Sequence, residues 1–156
     1  NARARDRLVL LDFGAVQEYP DEFIMPLQRM IIGAYRGDLD AVREGALALR
    51  FIRPEYPPHV QQSFAEVCAG VIEPLVCRPG NVPEEALNAE GQYRWRHSDL
   101  PSRVASRATK AAFSPYFRVP PQEFVFLNRK LIGVYTFIAV LGAEFNGADI
   151  LEKYLD

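Results

Sequence analysis

Apolar residues follow two rhythms along this chain. From Arg7 to Phe13 they run almost unbroken as Leu8, Val9, Leu10 and Leu11 before Asp12 and Phe13. Gly14 closes the run, which is the pattern of one short buried strand. After it the apolar positions recur at three and four, the spacing of one face of a helix. A first helix opens at Pro20, Asp21 and Glu22, carries Phe23, Ile24, Leu27, Met30, Ile31 and Ala34, and ends at Gly37. Asp38 caps a second helix bearing Leu39, Val42, Ala46, Leu47 and Leu49, which Arg53 and Pro54 stop, because proline disfavours a helical residue before it.

Pro57 and Pro58 start a third helix with Val60, Phe64, Val67, Cys68, Val71 and Ile72 on one face. The stretch from Arg78 to Leu100 loses this period and gains Pro, Gly and Asn, so it reads as a long surface loop with one helical turn at Pro83 to Leu87. Asp99 as cap and Pro101 just inside predict a fourth helix to about Phe113, before Ser114 and Pro115. The most apolar helix spans Pro121 to about Leu141, and its apolar residues cover more than one face, which predicts burial by several neighbours. A short last helix runs from Ala148 to Leu155. The expected fold is mainly α: a single helical domain over residues 3–156 with one short N-terminal strand.

Composition agrees with a folded domain. Of 156 residues, 49% are hydrophobic and 24% charged, far from the composition of disordered chains. Eighteen basic against twenty acidic residues leave a net charge of −2, too little positive potential for a general nucleic-acid binder. Cys68 and Cys77 lie in apolar stretches without zinc-ligand spacing and are expected to be reduced and inert. The longest uncharged segment, Leu131 to Ala143, would span only about 20 Å as a helix against roughly 30 Å of bilayer core. Neither a transmembrane segment nor a signal peptide is expected in it. The opening Asn1 and Ala2 read as the scar of a cleaved expression tag, and the chain as a cut piece of something longer.

The sequence holds one motif with chemistry. Asp12-Phe13-Gly14 after an apolar strand is how protein-kinase-like enzymes set a carboxylate on the magnesium that bridges ATP phosphates. A hard divalent cation needs charged oxygen ligands, a strand end holds one firmly, and glycine lets the backbone turn away without a clash. Asp12 is the candidate metal ligand, with Phe13 and Gly14 shaping the nucleotide site.

The run Leu8 to Val16, the helix at Asp21, Gly37-Asp38 and the Phe124 to Leu131 run Phe-Val-Phe-Leu-Asn-Arg-Lys-Leu together resemble the C-terminal lobe of the UbiB-like atypical kinases, also called the AarF-domain-containing (ADCK) kinases. The resemblance covers nearly the whole chain. It implies the helical C-lobe of a protein-kinase-like fold, and Mg²⁺ and ATP binding in the intact parent. It further implies ATPase or small-molecule kinase (transferase) activity tied to ubiquinone biosynthesis and other isoprenoid-lipid metabolism, with a lipid or quinone precursor as substrate and peripheral membrane contact. The chain has no Gly-rich loop, strand lysine or catalytic-loop Asp and Asn, so by itself it is expected to be inactive. Arg53-Pro54-Glu55 is a poor substitute for Ala-Pro-Glu, which disfavours an ordinary protein kinase. The expected location is cytoplasmic, with membrane association as the alternative.

Other polar residues read as structural. His59 and His97 lack a second ligand at metal spacing, and Asp21 and Glu22 suit the first turn of a helix. Glu73, Glu84 and Glu85 have no partner suggesting acid-base work. Arg94, Arg96, Arg103, Arg107 and Lys110 could grip a phosphate or anionic surface, but a solvated face is the favoured reading. The rival functions are a non-catalytic helical interaction or scaffold module and a pseudokinase; dimerisation through an exposed apolar edge is a further expectation.

Overall fold

The computed structural model describes residues 18–77, 82–104, 106, 115–116 and 121–155. The expected strand over residues 7–13, and with it the Asp-Phe-Gly motif, lies outside the described residues, as does the far part of the fourth helix. The described chain is mainly helical: α1 (Asp21–Arg36), α2 (Leu39–Ala48), α3 (Pro58–Val71), α4 (Glu73–Val76), α5 over residues 100–104, α6 (Gln122–Val140) and α7 (Ala148–Leu151). Two 3₁₀ turns, Glu84–Ala86 and Glu152–Tyr154, complete it.

The first two helices form as their sequence directs. Asp21 and Glu22 occupy the first turn of α1, where they complement the helix dipole without any side-chain capping bond. Gly37 ends α1 with φ 77°, the left-handed conformation glycine adopts at least cost. The next amide, Asp38 N–H, donates to Gly33 O at 2.8 Å, and the Asp38 carboxylate accepts from Ala41 N–H at 3.0 Å, so one short turn closes α1 and opens α2. The helices then pack closely because the contact is made of glycines. A Cβ on Gly33 would lie 2.8 Å from that of Ala41, and one on Gly45 would lie 2.7 Å from the Pro26 carbonyl oxygen.

α2 stops at Ala48, before the expected Arg53-Pro54 stop. Arg50 takes φ 58°, a strain of order 1–2 kcal/mol, and the chain turns back so that Phe51 and Ile52 enter the core. Phe51 meets Phe124 edge-on at 4.7 Å between ring centres and Phe64 at 6.1 Å, and burial of two large side chains outweighs the strain. α3 packs on the core through Phe64 and Cys68 of its expected face, with Ile72 buried at its end, and it adds two residues that the sequence pattern did not mark. Gln61 and Ala65 are its buried residues, and Gln61 is accommodated because its amide donates to Pro54 O and Tyr56 O at 3.2 and 2.8 Å, pinning the turn before the helix.

Two further expectations are corrected. Residues 82–100 are not a surface loop: Val82, Ala86, Tyr93 and Trp95 form a second core, against which Tyr135, Ile138 and Phe145 pack. The absence of helical period misled because aromatic burial, not helix formation, organises this stretch. The Glu84–Ala86 turn does fall where a helical turn is expected. Isolated bridges, Leu87 with Tyr93 and Arg94 with Glu144, and the Phe145 N–H to Tyr93 O bond at 3.1 Å fasten the stretch to residues 143–146. α6, expected to be buried by several neighbours, has no buried residue. Only the side carrying Phe124, Leu127, Tyr135, Ile138 and Ala139 packs on the two cores.

The glycine contact between α1 and α2 is testable. Gly45→Ala should lower stability by about 1–3 kcal/mol through overpacking, read as a lower urea midpoint at unchanged slope, although alanine is intrinsically the better helix former.

Candidate functional site

The sequence-predicted site residues, Asp12, Phe13 and Gly14, lie outside the described residues, and so do Arg107 and Lys110. The described polar chemistry concentrates at the seam where α4, α5 and residues 93–98 meet. Glu73 heads α4 within the apolar run Val-Ile-Glu-Pro-Leu-Val, and is itself buried. A buried carboxylate needs compensation. Arg103, on α5, supplies it with a two-pronged pair, both nitrogen-to-oxygen distances being 2.7 Å, and the Tyr93 hydroxyl donates to the same carboxylate at 2.9 Å. The guanidinium also donates to Ser98 O at 3.0 Å.

Electrostatics reinforce the arrangement. Burial pushes the Tyr93 phenol well above its ordinary value, with Ser98 and Arg103 opposing and Glu73 adding to the rise. Tyr93 therefore remains a hydroxyl donor. The hydrogen bonds that Arg103 donates to Glu73 hold the guanidinium above its already high value, so Arg103 stays charged. Arg103 thus leaves the solvated cluster in which the sequence placed it. Arg94 also pairs, with Glu144 at 3.5 Å, while Arg96 is exposed. A lone acid at the head of an apolar run was the available signal for Glu73, because such a residue folds only if a cation finds it.

This seam is a positioning device. Its charges are neutralised, and it places no nucleophile beside a base. Among the described residues no group of three or more His, Cys, Asp or Glu side chains could hold a metal ion. His59 and His97 are exposed. A groove of about 510 Å³ along α1 and α2 is lined by Met25, Ile32, Gly33, Arg29 and Asp38. Arg29 there faces Glu44 at 3.4 Å, and the Asp38 carboxylate is engaged in capping α2. Both cysteines are free. Burial pushes the Cys68 thiol up to about 12, and burial followed by the Glu73 charge raises that of Cys77.

Comparison with known proteins supplies the class. The chain is 27% identical over 152 residues to "Probable serine/threonine-protein kinase abkA" of Dictyostelium discoideum, covering 95% of this chain and 25% of that protein. It is 26% identical over 137 residues to "Atypical kinase coq-8, mitochondrial" of Caenorhabditis elegans, covering 88% of this chain and 16% of that protein. No protein-family model and no solved structure matches. The mainly helical architecture is consistent with a kinase C-lobe, and the similarities give the chain an atypical-kinase-like relationship. It spans about a quarter and about a sixth of the two relatives. No helix among the described residues is long and apolar enough to cross a membrane.

Two outcomes follow from the seam and the thiols. Arg103→Leu strands the buried carboxylate and should cost about 2–4 kcal/mol, less than a fully buried pair because the arginine is partly exposed; Glu73→Leu combined with Arg103→Leu should recover much of the loss in urea titrations. With its thiol at about 12, only about one Cys68 in ten thousand is thiolate at pH 8. Iodoacetamide should therefore leave Cys68 unmodified in the native chain and label it on unfolding.

Proposed function

We propose that this chain is the helical C-lobe part of a UbiB-like, AarF-domain-containing atypical kinase or ATPase, and that Asp12 in the intact protein holds the Mg²⁺ that bridges the phosphates of ATP. The observation that carries the reading is Asp12-Phe13-Gly14, at the end of an apolar run, inside a stretch similar to kinases. A match covering 95% of the chain includes residues 12–14 whichever end it omits. Phosphoryl transfer asks a protein mainly for positioning and charge stabilisation. A strand-end carboxylate supplies charge at one fixed point, and the helices that follow supply the rigid support behind it.

The substrate proposed is a lipid or quinone precursor of isoprenoid metabolism, met at a membrane surface by peripheral contact. Support comes from the family resemblance together with similarity to a protein named as an atypical mitochondrial kinase. Asp12 is a ligand by its position in the motif, with Phe13 and Gly14 packing and turning the chain beside the nucleotide. The Glu73 seam enters only as structural support.

The test is Asp12→Asn in the longer protein that joins this chain to a nucleotide-clasping lobe. Loss of one metal-binding charge should lower ATP turnover by about a hundredfold or more with the thermal unfolding temperature of the apoprotein little changed, and the 156-residue chain alone should turn over no ATP. Turnover unaffected by Asp12→Asn would overturn the assignment and leave the helical interaction module, with the exposed side of α6 as its surface.

A further inference from the structure

Asn146 and Gly147 form a pair whose chemistry the rest of the molecule holds in check. An Asn-Gly step is the most reactive place in a polypeptide for cyclisation, because glycine has no Cβ to keep its backbone nitrogen away from the asparagine side chain. The step stands in the return from α6 to α7, and no other asparagine of the chain precedes a glycine.

Both residues are there for reasons of fit. Tyr93 N–H donates to Asn146 Oδ1 at 3.1 Å, and Phe145 N–H donates to Tyr93 O at 3.1 Å, so residues 145–146 clasp the Tyr93 backbone through both its donor and its acceptor. Gly147 is buried, and its N–H donates to Pro74 O at 3.1 Å. A Cβ at position 147 would lie 2.8 Å from Pro74 O and 2.6 Å from Leu75 Cδ2, so no residue but glycine fits without moving α4. Its φ of −69° is open to any residue, and space alone demands glycine. The fold thus places a labile dipeptide where its two cores are closed on each other, Gly147 against α4 and Asn146 against Tyr93.

We propose that Asn146 is a modification site kept closed by the native fold: it cyclises with Gly147 only when this clasp opens, and its isoaspartyl product cannot reclose it. In the reaction the Gly147 nitrogen attacks Asn146 Cγ. A C–N bond forms, the Cγ–NH₂ bond breaks, and ammonia leaves carrying the proton of the Gly147 N–H. Water then opens the succinimide. Opening at Cγ gives aspartate, and opening at the Asn146 backbone carbonyl carbon gives isoaspartate, whose main chain runs through the side chain. No oxidant or reductant is needed. In the native chain the Gly147 N–H is held on Pro74 O and the Asn146 side chain on Tyr93, so ring closure waits for the clasp to open. The aspartyl product keeps an oxygen where Oδ1 stands and still accepts from Tyr93 N–H. The isoaspartyl product inserts one methylene into the main chain, about 1.5 Å, and drives Gly147 where Pro74 O and Leu75 leave no room. Each opening that ends in isoaspartate is therefore recorded in covalent form. The inference is independent of Asp12 and of nucleotide.

The test holds the chain in native buffer and in guanidinium chloride at the same mildly alkaline pH, and maps the peptide around residue 146 with isoaspartate scored by electron-transfer fragmentation. Conversion at Asn146 should be slower in native buffer by on the order of a hundredfold or more, because the population of the open clasp sets the rate. Equal rates overturn the proposal. The chain carrying isoaspartate at 146, separated by ion exchange, should then fail on dilution to regain the fluorescence of Trp95, the sole tryptophan, whose indole donates to Phe145 O beside the clasp. Freshly prepared Asn146→Asp should regain it, with a cooperative melt. An isoaspartyl chain that refolds like the untreated one overturns the proposal, and so does failure of Asn146→Asp to refold, which assigns the loss to charge and not to the lengthened main chain.

Discussion

The carboxylate of Glu73 sits between two apolar cores, and charge in that position cannot be left uncompensated. Ile72 and Val76 on either side of it belong to the core built by α1, α2 and α3, whereas Tyr93 and its neighbour Trp95 belong to the second. Because Tyr93 and Arg103 together satisfy the acid, it fixes how residues 93–103 lie against α4. That placement presents Trp95 to Tyr135 of α6 and to Phe145, with ring centres 5.1 Å apart in both cases. The indole N–H then donates to Phe145 O at 3.2 Å, and Gly147 N–H reaches Pro74 O at 3.1 Å, returning the chain to α4. Apolar contacts in such a ring slide at little cost. A two-pronged arginine pair does not, since its planar geometry accepts one orientation.

Legibility in the sequence followed the range of the forces involved. α1 and α2 were readable because their signals are local: apolar residues at three and four, Gly37 at φ 77° and the Asp38 cap all act within a few residues. The turn at Pro83 and the start of α3 at Pro58 were readable for the same reason. What was not readable depends on partners far along the chain. Phe51 ends α2 early because Phe124 waits for it 73 positions later, and Tyr93 is buried because Glu73 and Asn146 bond to it. An aperiodic stretch rich in Pro, Gly and Asn is weak evidence of exposure when it also contains Tyr93 and Trp95. The motif at Asp12 was legible as a sequence pattern, and the similarity to two kinases adds to it at the level of class.

α6 shows the limit of inferring burial from hydrophobicity. Its side toward Phe124 and Tyr135 obeys the usual rule, with Tyr135 buried enough for desolvation to raise its phenol and its hydroxyl donating to Val71 O at 3.2 Å. Its opposite side is as apolar and has no cover among the described residues. Apolar residues on all sides of a helix do predict many neighbours, but they do not say that those neighbours belong to the same chain.

Under the function proposed above, the helices and the motif divide the work differently from an enzyme whose acid, base and nucleophile converge in one pocket. The described residues bring together no such group, and their strongest charges, Glu73 and Arg103, cancel each other inside the protein. Charge spent in that way orients elements and is unavailable to a substrate. A metal carboxylate has the opposite requirement: it must keep its charge open toward the ligand while its backbone is held still. The two demands are compatible only if they fall on different parts of the chain, a neutralised and buried pair in the helical frame and an open carboxylate at its edge. Glu73 and Asp12 stand 61 positions apart in the sequence, so the metal carboxylate proposed above need not share the charge that the seam neutralises.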